Sequence, residues 1–507
     1  MKLQKETEQR IHQIEREVRE ANENVKRMEK HLGVPIYTDG LPSAPPPVFD
    51  PFAKGVKLMT AYKWDEAIVE FKQSMKEAKA SQLVALYNLI GISCYTPGKL
   101  DLAVENWNKS LSLAKEFNDK EGEASALGNL GVVFKTRGDL DKALKYYEDA
   151  LAIDRAIGDK MGEAQGVGNL GMIFKIRGDL DQALKNYEEA LKIFRQISNK
   201  EGEAKTLSNL GSIYQTRGDL DQALKYHENA LNIDRKINNK EGEATALNDF
   251  GAIFKAKGDL DQAFKCQEDA LKINREIDDK IGVARTLSHI GSIYRTRGEL
   301  NNALQCCQDA LKIDRAIGNK IGEAQDLDNL GMAYQTKGEK GDLEQALKYL
   351  EDALKIDREI GNKMGVARHL GNLGLIYQDR GDWDKALKYH KDALKIDEEL
   401  GCKQSIANQL NNIGLIFEFK GDKEEASRYY ENARKIFREI GNKEGEAKTL
   451  GNLGLIYKAR GEEEEASRYL EDALKIFTQI GAKREIQKTK RNIEELKNKS
   501  FLNHKRN

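Results

Sequence analysis

Residues 121–160 read EGEASALGNLGVVFKTRGDLDKALKYYEDALAIDRAIGDK, and this stretch decides the fold. Leu127, Leu130, Gly131 and Phe134 recur at the three- and four-residue spacing of one helical face. Arg137-Gly138 predicts a stop, because glycine enters the left-handed conformation that ends helices. Asp139 follows as an N-cap, and Ala143, Leu144, Tyr147, Ala150, Leu151 and Ile157 make the apolar face of a second helix. Asp179 with Gln182 and Asp219 with Gln222, in later copies, have the spacing of a capping box. Small residues at Gly131 and Ala143 predict close approach of the two helices. The unit is a helical hairpin, one face of which stays uncovered until a neighbour stacks on it.

The unit recurs. Gly-Asn-Leu-Gly begins at Gly128, Gly168, Gly371 and Gly451, with near-copies from Ser208, Asn248, Ser288, Asp328 and Asn411. The 403 residues from Ser81 to Lys483 divide into nine units of 40 and one of 43, the longer one carrying an insertion around Glu339-Lys340-Gly341. Six of the seven prolines lie between Pro35 and Pro51, so the units are free to be helical. Only 7% of the 507 residues are aromatic, and the Ala, Glu, Lys, Leu and Arg bias is that of long helices. The expected fold is all-α.

The order Leu127, Leu130-Gly131, Phe134, Gly138, Ala143, Tyr147, Ala150 resembles the tetratricopeptide repeat pattern position for position. The 40-residue form is similar to the repeats of kinesin light chains and of Partner-of-Inscuteable adaptors. The resemblance implies a right-handed superhelical solenoid of stacked antiparallel helix pairs. One departure stands out: the family's helix-ending proline is replaced by Arg155, Arg195, Arg235, Arg275, Arg315, Arg358 and Arg438, so the second helix is expected to run on to Ile157 and its equivalents.

The ends read differently. Ile11, Ile14, Val18, Ala21, Val25, Met28 and Leu32 form an a/d heptad seam. Residues 1–32 are thus an amphipathic or coiled-coil helix, which either pairs in a homodimer through 11–32 or folds back on the first repeat. Residues 33–51 are a Pro-rich linker. The solenoid is assigned to 52–483, with a short first unit marked by Gly55, Ala67 and Phe71 and by Trp64 near its turn. Residues 484–507 are a capping helix, with Ile486, Ile493 and Leu496 on one side, and a basic tail. Nine Lys/Arg against three Asp/Glu in 481–507 give that end +6, and the net charge of −1 averages it with an acidic array.

Catalytic chemistry has no positive support. There is no phosphate loop ending in Gly-Lys-Ser/Thr and no His-Glu-x-x-His pair. Cys266 and Cys306 occupy equivalent positions without the further ligands that zinc needs, so no metal or cofactor is expected. No apolar run is long enough to span a membrane and no secretory signal is evident, so the expected location is cytoplasmic.

What remains is a surface. Asn129, Asn169, Asn209, Asn329, Asn372, Asn412 and Asn452 share one place on the first helices, with Asp249 and His289 between them. The family resemblance implies that these first helices line a concave groove where asparagines bond an extended peptide. A carboxamide offers both donor and acceptor for that task. The alternative is that each Asn bonds a neighbouring repeat and orders the stack. Lys135, Lys175, Lys255 and Arg295 form a basic column farther along, and Leu375 and Leu415 are apolar floor positions. Arg137, Arg177, Arg217, Arg297, Arg380 and Arg460 sit at helix C-termini, where the dipole favours cations. The expectation is a non-catalytic interaction scaffold for an extended, acidic partner peptide with apolar anchors. A helical-repeat RNA binder and a regulatory or assembly subunit are the rivals; the acidic array and the lack of exposed stacking aromatics count against RNA.

Overall fold

The computed structural model describes residues 49–504, apart from 77 and 340. The heptad seam of 11–32 and the linker up to residue 48 lie outside the described residues. The first helix, α1 (Phe49–Thr60), takes in Pro51, read above with the linker; in a first turn its missing N–H leaves no intrahelical bond unmade. Among the described residues there are 23 helices and no strand. α1 and α2 (Trp64–Ser74) make the short first unit, ten longer pairs follow, and α23 (Lys483–His504) stands last.

One pair shows how the sequence makes this structure. α5 (Lys120–Thr136) is N-capped by Asp119, whose carboxylate accepts from the Gly122 N–H at 2.9 Å. Gly138 then takes φ +77°, and Asp139 caps α6 (Leu140–Ile157) by accepting from the Lys142 N–H. The Asp179 and Asp219 caps make the same bond, to the Gln182 and Gln222 N–H groups. That is one half of the expected capping box; the reciprocal glutamine bond does not form.

Packing within a pair turns on the first-helix glycine. A Cβ at Gly131 would stand 2.5 Å from Cε1 of the Tyr147 ring, so the glycine makes room for a buried second-helix side chain. That filler changes along the chain: Trp107, Tyr147, Tyr187, His227, Gln267, Cys307, Leu350, His390, Tyr430 and Leu470 occupy the place in turn. Backbone closeness shows too, with Ala303 O, Ala426 O and Ala466 O within 3.2–3.3 Å of a Cβ at Gly291, Gly414 and Gly454. Beside the filler, ring pairs such as Phe134–Tyr146 and Tyr377–Tyr389 stack with centroids 5.3 Å apart.

Ion pairs join successive repeats. Arg137 bonds Asp101, Arg217 bonds Asp181, Arg297 Nη2 reaches Asp261 Oδ1 at 2.6 Å and Arg380 Nη2 reaches Glu344 Oε1 at 2.9 Å. The helix-terminal arginines therefore hold the preceding repeat as well as facing their own dipole. The arginine in place of the family proline has a partner as well: Arg155 Nε donates to Glu163 Oε1 at 3.0 Å, and Arg195, Arg235, Arg315 and Arg438 repeat that bond at 2.8 Å.

The chain divides into two compact units. The described part of the first is 49–170 with Leu311–Ala324 and Ile356–Asn362; the second holds Gly171–Ala310, Gln325–Lys355 and the residues from Lys363 on. In each, the ends of later second helices rest on the inner turns of earlier repeats. Within the first, Trp64 Nε1 donates to Ile317 O at 2.8 Å, and a Cβ on buried Gly98 would lie 2.7 Å from Ile360 Cγ2. Within the second, Gly178 meets Ile440 and Gly218 meets Ile480 in the same way, at 3.0 and 3.6 Å. At the C-terminal end of the second unit, Ile493 and Leu496 of α23 are buried and Ile486 packs against the cluster containing Tyr469 and Phe477.

Candidate functional site

Helical periodicity puts residues 128, 129, 132 and 135 of α5, and their copies, on neighbouring positions of each first helix. The asparagine column divides in two. Asn129 is fully buried and donates from Nδ2 to Asn88 Oδ1 at 2.7 Å. Asn372 donates to Asp328 Oδ1 at 2.8 Å, and Asn452 to Asn411 Oδ1 at 3.2 Å. In all three the acceptor lies one register place earlier in the preceding repeat.

That place is glycine ahead of the others: Gly128 precedes Asn169, Gly168 precedes Asn209 and Gly371 precedes Asn412. Ahead of Asn329 it is Ser288, which donates to Asp326 instead. Asn169, Asn209, Asn329 and Asn412 are half-buried and make no side-chain hydrogen bond among the described residues. The stack-ordering alternative thus describes three members of the column. Sequence reasoning missed the switch, although its signal, a polar or glycine residue 41 to 44 positions upstream, is in the sequence.

The basic column is partly engaged. Lys175 bonds the Ser212 hydroxyl and Lys255 that of Ser292, each on the next repeat, and burial lowers the pKa of both ammonium groups. Arg295 is half-buried beside Lys255 and makes no ion pair among the described residues, and Lys135 in the first unit is half-buried. Between these cations, Asp249 Oδ2 lies 3.3 Å from Nδ1 of buried His227. Burial, reinforced by the Arg285 charge, pushes His289 down to about 4. Farther along, the column is neutral or acidic at Gln335, Gln378 and Glu418 and basic again at Lys458: Gln335 bonds Asp379 at 2.6 Å, Tyr430 donates to Glu418 at 2.8 Å, and Lys458 pairs with Glu495 at 3.0 Å.

Of the floor positions, Val132 in the first unit is buried; in the second unit Met172, Ser212, Ser292, Met332, Leu375, Leu415 and Leu455 are half-buried and Ala252 is exposed. A network absent from the sequence reading lies beneath the second unit's floor. Asp328 Oδ1 accepts from Asn372 and faces Nδ1 of fully buried His369 at 2.9 Å. Burial raises the Asp328 pKa, but His369, Arg368 and Asn372 outweigh it and hold the carboxyl below its ordinary value.

Elsewhere, an open cleft of about 590 Å³ lies between second helices, lined by Glu188, Leu191, Lys192, Arg195, Gln196, Leu210 and Tyr226. Among the described residues no group of three His, Cys, Asp or Glu side chains is placed to hold a metal ion. All five cysteines are free thiols, and burial raises Cys306 to about 11 and Cys307 and Cys402 to about 12. No described helix is long and apolar enough to cross a membrane.

The sequence matches the tetratricopeptide repeat family model over 82–156, 161–236, 202–276, 282–342, 339–399 and 405–479. Comparison with curated proteins gives no match. Among solved structures the chain is similar to a Rap protein complexed with Competence and Sporulation Factor, at 14% identity and a TM-score of 0.46, covering 75% of this chain and 98% of that one. It is similar to BtubC (BKLC) from P. vanneervenii at 21% identity and a TM-score of 0.38, covering 44% and 92%. A putative kinesin light chain of Podosopora anserina with nearly identical TPR-like repeats gives 18% and 0.32, covering 38% and 95%. The 40-residue period, the glycine-and-filler packing and the family match over most of the length agree: this chain belongs to the tetratricopeptide repeat family, as a helical-repeat scaffold of the protein-interaction kind.

Proposed function

We propose that the first-helix face of the second unit holds an extended peptide segment of a partner protein, acidic and with apolar anchors. One observation carries this reading. Asn209, Asn329 and Asn412 keep half-buried carboxamides without a hydrogen-bond partner among the described residues, in the same column where Asn372 and Asn452 are bonded to a neighbour. A half-buried amide that the fold leaves unbonded is ready to exchange water for a peptide backbone. Lys175, Lys255 and Arg295 supply positive charge for partner carboxylates, and Leu375 and Leu415 supply apolar contact. The scaffold holds these groups in place before the ligand arrives, which lowers the ordering cost of binding. In the first unit Asn169 is the corresponding free amide, whereas Asn129 is committed to the stack.

The test is partner capture followed by titration of the captured segment. Asn209→Ala with Asn412→Ala should weaken binding about tenfold or more, at roughly 0.5–1.5 kcal/mol per lost hydrogen bond. Leu375→Asp with Leu415→Asp should weaken it further. If both double variants stay folded and keep full affinity, the peptide lies elsewhere and the reading falls.

A further inference from the structure

Two lysines of the second unit make the same local bond in different surroundings. Lys175 donates to the Ser212 hydroxyl and Lys255 to that of Ser292, each across to the next first helix. An ammonium group only donates, so each serine oxygen accepts and each hydroxyl keeps its own proton to give. One turn beyond the serine stands Gln215 in the first case and Arg295 in the second. Lys175 also feels the charge of Asp249, the carboxylate 3.3 Å from His227. Around Lys255 the sign is opposite: burial lowers its pKa and the Arg295 guanidinium lowers it further.

The fold thus holds Lys255 and Arg295 close together and half-buried, and neither makes an ion pair among the described residues. Exposed Arg285 adds to the same face: its charge and that of Lys255 both depress His289. On the following repeat the place of Arg295 is taken by Gln335, whose amide engages Asp379. Like charges held together in a half-buried place repel, and an anion that sits between them removes the repulsion. Lys255, Ser292 and Arg295 offer N–H and O–H donors from two adjacent helices, with two positive charges. A carboxylate brings one charge and two oxygens. A phosphate monoester brings about −1.5 to −2 and three terminal oxygens, which suits both the charge and the three donor groups.

We propose that Lys255, Ser292 and Arg295 form a phosphate-binding site, and that its occupant is a phosphorylated side chain of the extended partner segment. The choice of occupant rests on the peptide reading above; the anion site rests on the three residues alone. Arg295 presents a planar fork to two phosphate oxygens, and Lys255 and the Ser292 hydroxyl act as point donors to the rest. Lys175 is the contrast within the same unit, because it has the serine bond but a glutamine and a carboxylate for company.

The test has two arms, both on the full chain. In the first, inorganic phosphate is titrated at fixed ionic strength and its phosphorus NMR line width is followed. The wild type should broaden the line, Arg295→Gln and Lys255→Gln should each remove most of the effect, and Lys175→Gln should keep it. Glutamine already stands at this place in other repeats, as Gln215 and Gln335, so Arg295→Gln should fold. Absence of broadening, broadening that Arg295→Gln leaves intact, or an equal loss in Lys175→Gln would overturn the site. In the second arm, random peptides carrying a central phosphoserine are compared with the same set carrying serine or glutamate. The wild type should prefer phosphoserine by about tenfold or more, and Arg295→Gln should erase that preference while general capture persists. Phosphate binding with equal capture of the three sets would overturn the phosphorylated occupant. Phosphate binding with no capture of any set would sink the peptide reading and its occupant while the anion site stands. A phosphorylated RNA oligonucleotide bound through Arg295 in preference to every peptide set would overturn the occupant in favour of nucleic acid.

Discussion

Asn372 donates to Asp328 Oδ1 over 2.8 Å across a repeat boundary, and His369 Nδ1 stands 2.9 Å from the same oxygen. Asp328→Ala removes the acceptor from both while His369 stays fully buried. The expected cost is about 1–3 kcal/mol. Amide hydrogen exchange should read it, with protection lost first in the helix Lys363–Asp379. Asn209→Ala breaks no protein bond and should leave exchange unchanged. Equal effects of the two substitutions would contradict the division of the column.

Two glycines on the same helical face should respond with opposite sign. Gly131→Ala places a Cβ 2.5 Å from the Tyr147 ring and should destabilise by about 1–3 kcal/mol. Gly168→Ala meets nothing within 4 Å inside a helix and should stabilise by roughly 0.5–1 kcal/mol through helix propensity. Denaturation of each single variant checks the pair.

Acid should loosen the helix Lys280–Arg297 before pH reaches the carboxylate range. Burial, then the Arg285 and Lys255 charges, lower His289 to about 4, with Asp249 pulling the other way. The unfolded imidazole titrates near 6.5, so between about 6.5 and 4 the unfolded chain takes up a proton that the fold does not. The contribution of neutral His289 is complete above that window and is lost as pH falls through it. His289→Asn should flatten the pH dependence of exchange in this helix; an unchanged slope would assign the effect to other groups.

Arg155→Ala tests the replacement of the family proline. Hydrogen bonds from Lys160 and Arg155 hold the Glu163 carboxyl below its ordinary value, so its stabilising share is present above about pH 4.3 and is lost as pH falls through the folded value. Arg155 is half-exposed, so the expected loss at neutral pH is below about 1 kcal/mol. It should shrink further in acid. A thermal melt at pH 7 and at pH 3 distinguishes this from a pH-independent packing loss.

The repeated features were legible because repetition samples the same local physics ten times. Gly138 in the left-handed region, the Asp139 cap and the second helix running to Ile157 follow from residues within one hairpin. Contacts between hairpins were less so. Arg137 was readable as a helix-end cation, but Asp101, 36 residues earlier, was not readable as its partner. Nothing local told that Trp64 would bond Ile317 O, because spacing within a unit does not say which turns meet 253 residues apart. The asparagine column was ambiguous for a related reason: the residue that commits Asn372, and leaves Asn412 free, sits in another repeat.

The fillers beneath the first-helix glycines have a consequence for folding. Near-identical hairpins invite mispairing, in which a helix docks on the wrong copy of its partner. Here the glycines face side chains that differ between most neighbouring repeats, from Trp107 and Tyr147 through His227, Gln267 and Cys307 to Leu470, with Tyr147 and Tyr187 the one consecutive pair alike. A second helix moved by one repeat would set the Gln267 carboxamide where the His227 ring or the Cys307 thiol belongs, at a cost in fit and in hydrogen bonding. The glycine column makes the hairpins alike enough to stack, and the varied side chains beneath it penalise most one-repeat shifts in pairing.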